Sequence, residues 1–157
     1  MNRRNTLSIC AMTAFGLALA AHPAAAQSAK DLVGTWSLAT ADAFGTNPKG
    51  SAIFEANGRF SIILMRAQLP KYASNNRVQG APADYKATVE GSLAYFGTYS
   101  VSGTDLLLHI EGSTFPNWAG NDQKRINLAI TGDELKYVQP TPSGGGPAAP
   151  VIWKRVR

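Results

Sequence analysis

In the stretch HIEGSTFPNWAGNDQKR, residues 109–125, a histidine and a glutamate stand two residues apart (His109, Glu111). After a Pro-Asn-Trp-Ala-Gly turn, a glutamine and an arginine repeat that spacing (Gln123, Arg125). Side chains alternate across a strand, so each pair shares one face of its strand. Antiparallel pairing across the turn would gather the four into one polar group, with Tyr99 contributed by an adjacent strand. The chemistry on offer is acid–base: His109 is a natural general base near neutral pH and Glu111 could tune it, which makes these two the catalytic candidates. The same set could instead orient the polar end of a ligand, with Tyr99, His109, Glu111, Gln123 and Arg125 supplying hydrogen bonds. Trp118, in the turn, would then touch the ligand or cap the mouth of whatever holds it. A third reading is a satisfied structural network. Leu106, Leu108 and Ile110 occupy the other face of the strand, so this segment alone does not settle which face points inward. If the polar face points out, His109 is an ordinary surface residue.

Other chemistries are missing from the sequence. There is no Gly-x-Ser-x-Gly nucleophile elbow. Asn47-Pro48-Lys49-Gly50 lacks the spacing and the Lys-Ser/Thr ending of a phosphate loop. Residues 1–26 have the layout of a cleaved signal peptide: Arg3 and Arg4, then the apolar run Leu7 to Ala20, then Ala24-Ala25-Ala26 before Gln27. That run falls short of the roughly 20 apolar residues a membrane span needs. The Arg pair matches a twin-arginine signal poorly, and bulky Ile9 before Cys10 argues against a lipid anchor. A periplasmic or secreted protein is expected.

Removing 26 of 157 residues leaves 131 and takes away two arginines, so the formal charge falls from +5 to +3. Cys10 and His22 go with the leader, leaving no cysteine and a single histidine. A disulfide framework and a Cys/His zinc site are therefore excluded, and no metal or cofactor is expected. The remaining charge is mild and scattered, so no nucleic-acid partner is expected either. Residues 27–157 are long enough for one domain with a real core.

The elements that would hold these residues are mostly strands: short alternating runs broken by turn signals. They read as Gly34–Asp42, Ser51–Glu55, Arg59–Met65, Gly97–Val101, Leu106–Ser113, Lys124–Thr131, Glu134–Gln139 and Val151–Val156. Asn57-Gly58 signals a type I′ hairpin, with tight connections also at Ser102-Gly103-Thr104 and Thr131-Gly132-Asp133. APADYKATVEGSLAYFG is the exception, with Tyr85, Val89, Leu93 and Phe96 on one helical stripe. Pro82 and Asp84 suit its start and Gly97 its stop. Gly91 weakens this helix by about 1 kcal/mol, so its apolar face should be docked, across one end of the sheet. The irregular stretch before it (residues 66–80) is of the kind that forms lids, and Gln139–Pro150 is a Pro/Gly-rich hairpin loop with no evident role. The fold expected is all-β: an eight-stranded antiparallel up-and-down barrel with one helix between the third and fourth strands.

Two features carry a resemblance. Gly34-Thr35-Trp36 on the first strand is similar to the Gly-x-Trp signature of lipocalins. The resemblance implies that Trp36 floors the barrel beneath a basic residue of the last strand, Lys154 or Arg155. The segments LVGTWSL, NPKGSAIFEANGRFSIILMR, YKATVEGSLAYFGTYSV and HIEGSTFPNWAGNDQKR together resemble the bacterial and fungal lipocalin-like domain family over nearly all of Leu32 to Lys154. The chain departs from typical lipocalins in lacking a Thr-Asp-Tyr segment and a disulfide, and in its helix position, so vertebrate lipocalin cargo does not carry over. The function expected is an exported monomeric barrel binding a small hydrophobic molecule in its interior, with Phe60, Ile62, Leu64 and Leu128 as apolar walls. The alternatives are a small cofactor-independent isomerase, cyclase or hydrolase using His109 and Glu111, and a structural envelope domain with a filled barrel.

Overall fold

The computed structural model describes residues 28–157. The expected leader, residues 1–26, lies outside the described residues. A one-turn helix α1 (Ala29–Leu32) leads into β1 (Gly34–Ala41), β2 (Lys49–Phe54) and β3 (Arg59–Met65). Helix α2 (Pro82–Gly91) follows, then β4 (Ser92–Ser102), β5 (Asp105–Ser113), β6 (Asp122–Thr131), β7 (Glu134–Gln139) and β8 (Ala149–Arg155). Each strand pairs antiparallel with the next, and β8 closes on β1 to complete the barrel. Closure leaves no row of unpaired backbone groups along an edge. The alternation that encodes this is plain in β3, where Phe60, Ile62 and Leu64 are buried while Arg59, Ser61 and Ile63 are exposed.

Where the fold departs from the sequence reading, the cause is local. The β2–β3 connection is not a type I′ turn. Gly58 has φ 82°, whereas Asn57 is not left-handed, and Gly58 N–H bonds the Glu55 carbonyl at 3.0 Å. This is a longer loop closed by a glycine bulge. More important, the helix stops at Gly91 and the strand starts at once. Pro82 begins the helix and the Asp84 carboxylate accepts from Ala81 N–H at 3.1 Å, as the sequence implies. Beyond Gly91, however, Leu93, Tyr95, Gly97 and Tyr99 are buried with a period of two, while Phe96 is 48% exposed. The expected helical stripe mixed the end of one element with the start of the next. Gly97 is not a helix stop. A Cβ there would fall on the carbonyl oxygen of His109, so glycine is what lets β4 and β5 approach. At that point the register skips, Phe96 facing Gly112 and Gly97 facing Ile110, which leaves Glu111 as the extra residue of a β-bulge.

The end of the barrel where β1 begins and β8 ends is sealed. Trp36 is fully buried and its indole N–H donates to the Leu32 carbonyl at 2.8 Å. The Arg155 guanidinium lies 4.0 Å from the centre of the Trp36 ring and donates to the carbonyls of Val33 (2.9 Å) and Asp31 (2.7 Å). Of the two cations considered for that place, Lys154 is excluded by strand parity. Trp153 points in, so Lys154 points out and pairs with Glu134 at 2.6 Å. Above this floor Phe54, Phe60 and Tyr99 pack ring against ring, and Leu106, Leu108, Leu128 and Leu135 complete a filled lower half.

Candidate functional site

The opposite end of the barrel is open, and holds a cavity of about 490 Å³. That lies within the roughly 300–1,000 Å³ of typical small-molecule sites. Its walls are Leu64 from β3, Leu93 and Tyr95 from β4, Tyr137 from β7 and Val151 from β8. Phe44, Phe115, Trp118 and residues Thr88–Glu90 of α2 form the rim, together with Pro142–Gly144 of the β7–β8 loop. The Pro/Gly-rich loop, given no role by sequence, is thus part of the mouth.

The helix is braced from the side of residues 66–81. The Tyr72 hydroxyl bonds Thr88 Oγ1 at 2.9 Å, its ring meets Tyr85 edge-on at 5.6 Å, and the Tyr85 hydroxyl accepts from Gly80 N–H at 2.7 Å. None of residues 66–81 lines the cavity. The apolar face of α2 is not docked as a core face, since Val89 is 76% exposed above the mouth.

Trp118 arrives from a short 3-10 turn (Pro116–Trp118) after β5. Pro116 suits the start of that turn, and Gly120 with φ 76° lets the chain reverse into β6. The indole folds inward, 7% exposed, edge-on to Tyr95 at 5.3 Å and to Phe115 at 6.0 Å. It therefore both caps the mouth and lines the cavity.

The polar side chains on the wall are few. Arg125 is 1% exposed, with its guanidinium carbon 5.3 Å from the Trp118 ring centre and 5.8 Å from that of Tyr95. Nη1 donates to the Lys124 carbonyl at 3.1 Å, while Nη2 is buried without a hydrogen-bond partner among the described residues. No ion pair among the described residues includes Arg125. Gln139 is 8% exposed; its amide nitrogen donates to the Thr141 carbonyl at 2.8 Å and its Oε1 is buried without a donor among the described residues. Tyr137, fully buried, accepts from the Trp153 indole N–H at 3.2 Å. Burial first, then the neighbouring Tyr95, pushes its pKa well above the usual phenol range, so it remains a neutral hydrogen-bonding group.

The polar set expected from residues 109–125 does not assemble inside the barrel. His109 pairs in register with Asp122 on the outer face, and its Nδ1 contacts the Asp122 carboxylate at 2.7 Å with the ring 53% exposed. Glu111, on its bulge, forms a two-pronged ion pair with Arg59, both contacts at 2.8 Å, also on the outside. That contact holds the Glu111 carboxyl below its ordinary value. Gln123 and Arg125 instead pair with Leu108 and Leu106, whose side chains point in. The two pairs therefore occupy opposite faces, and the proposed catalytic dyad has no access to the cavity.

Gln123 is half-buried but does not line the cavity, and Tyr99 belongs to the sealed end, where its hydroxyl donates to the Glu55 carbonyl at 2.9 Å. Of the expected apolar walls only Leu64 reaches the cavity; Phe60, Ile62 and Leu128 lie in the packed core. The residues overlooked include the apolar Leu93 and Val151 and the polar Tyr95, Tyr137 and Gln139. The signal for the last two was alternation with buried Leu135, which places a polar residue at the inward end of β7.

No curated protein matches the chain significantly. The family model described as a lipocalin-like domain matches residues 33–156, which span all eight strands of the barrel. With its closed eight-stranded barrel, sealed floor and open mouth, the chain belongs to the lipocalin-like domain family.

Proposed function

We propose that this protein is an exported, monomeric binding barrel that holds a small hydrophobic molecule in the mouth cavity. The observation that carries the reading is the division of the interior: a filled lower half beneath a cavity of about 490 Å³ walled by aliphatic and aromatic side chains. An eight-stranded barrel has room for a packed core or one small ligand, and this interior combines the two. The monomer reading is supported by closure, which leaves no edge to recruit a second sheet, and the export reading by the layout of residues 1–26. His109 and Glu111 lie on the outer face, so the hydrolase, isomerase and cyclase alternatives lose the two residues they rested on.

The test is titration with an apolar fluorophore. Saturable binding at one site is expected, and Leu64→Trp, which adds bulk at a buried wall position, should reduce it. A protein that shows no saturable binding, or binding indifferent to that substitution, would leave the filled-barrel alternative standing. Intact-mass measurement of the exported protein should find a chain starting within a residue or two of Gln27.

A further inference from the structure

The apolar cavity contains one feature that an apolar ligand alone would not need. Arg125 brings a permanent positive charge to a position that is 1% exposed, where the only hydrogen bond its guanidinium makes among the described residues is from Nη1 to the carbonyl of Lys124. The rings of Tyr95 and Trp118 cover the group without supplying an anion. Carboxylates at the rim do not answer it. Glu90 is engaged by Lys86 and Asp42 is exposed, and neither forms an ion pair with Arg125. Burying a charge is costly unless it is paired, and removing one partner of a buried pair leaves an uncompensated group.

Across the β6–β7 ladder Ile126 faces Val138, so Arg125 and Gln139 are cross-strand neighbours on the inward face. The Gln139 amide orientation is set by its bond to the Thr141 carbonyl, which leaves Oε1 as the free acceptor. One wall therefore presents an unsatisfied charged donor beside an unsatisfied neutral acceptor, facing a cavity whose other walls include Leu64, Leu93 and Val151.

We infer that the ligand is an amphipathic carboxylic acid. Its carboxylate lies on Nη2 of Arg125, its apolar body lies against Leu64, Leu93 and Val151, and a hydroxyl next to the carboxylate donates to Gln139. This deepens the proposed function and rests on it. A guanidinium recognises a carboxylate through parallel N–H donors, and a charge-assisted bond in a dry site discriminates strongly against a neutral head of the same size.

The experiment compares dodecanoate, dodecanol and 2-hydroxydodecanoate by calorimetric titration of the purified protein. The acid should bind at least about tenfold more tightly than the alcohol, which corresponds to about 1.4 kcal/mol. The hydroxy acid should bind more tightly again. Arg125→Met should erase the preference for acid while the alcohol still binds, and Gln139→Leu should erase only the advantage of the hydroxy acid. Equal affinity for acid and alcohol in the unmodified protein would overturn the inference and leave the hydrophobic-binding function intact. Failure of all three to bind would overturn both. The acid–alcohol comparison uses no variant, so it decides the matter even if Arg125→Met does not fold. Equal binding of the two acids would remove Gln139 from the site.

Discussion

Trp36→Ala should cost about 3–5 kcal/mol, the usual price of truncating a large packed aromatic side chain. Trp36 is fully buried, with its indole N–H on the Leu32 carbonyl and its ring under Arg155 at 4.0 Å. Truncation would open the floor, orphan the Leu32 carbonyl and strip Arg155 of its aromatic partner. Arg155→Met should cost about 2 kcal/mol, from two lost hydrogen bonds to Val33 and Asp31 carbonyls and the lost ring contact. The two residues touch, so the double variant should lose less than the sum of the single variants. The coupling should be about 0.5–2 kcal/mol, the range for a cation over an aromatic face. Urea denaturation followed by far-UV circular dichroism is the suitable assay, because tryptophan fluorescence would change with the substitution itself. A Trp36→Ala loss under about 1 kcal/mol is the range of surface substitutions and would refute the floor assignment. Strict additivity would refute the Trp36–Arg155 contact as an energetic unit.

Gly97→Ala should destabilise the barrel by about 1–3 kcal/mol or more, because the added methyl falls on the His109 carbonyl oxygen. Gly144→Ala, with open space around it, serves as the control in the same melt and should change little. His109→Ala and Glu111→Gln should leave hydrophobic-probe affinity unchanged in fluorescence titration, since both side chains are outside the barrel; weakened binding would restore the inward-facing polar site. In a carbon-detected NMR titration, Glu111 should ionise below its ordinary 4.5 and return towards that value in Arg59→Ala. The sign follows from the depressed folded-state pKa: the pair contributes stability above pH 4.5, and that contribution is lost as pH falls through the lower folded-state value.

The architecture was legible in the sequence because its code is local. Alternation in RFSIILM and DLLLHI, glycine at the tight connections, and proline at the start of the helix each act within a few residues, and the resemblance of Gly-x-Trp to the lipocalin signature implied the floor. The length of the helix was less legible. YKATVEGSLAYFG satisfies a helical period and a strand period at once, and only the pairing of Leu93 and Tyr95 with β3 and β5 decides between them.

The site depended on tertiary structure for a sharper reason. The spacing of His109 with Glu111, and of Gln123 with Arg125, correctly put each pair on one face of its own strand, but spacing carries no information about which face is inside. In β5 unbroken alternation keeps Leu106, Leu108 and Ile110 inside and leaves His109 and Glu111 outside. Of the two bulges, one leaves Glu111 as the extra residue opposite Gly97, with its carboxylate on Arg59. The other lies between Ile126 and Ala129, where Asn127 takes φ 56° and shifts the phase of β6. Counting back in twos from buried Leu128 would have put Ile126 and Lys124 inside. The left-handed residue inserts one more step, and Arg125 enters the barrel in their place.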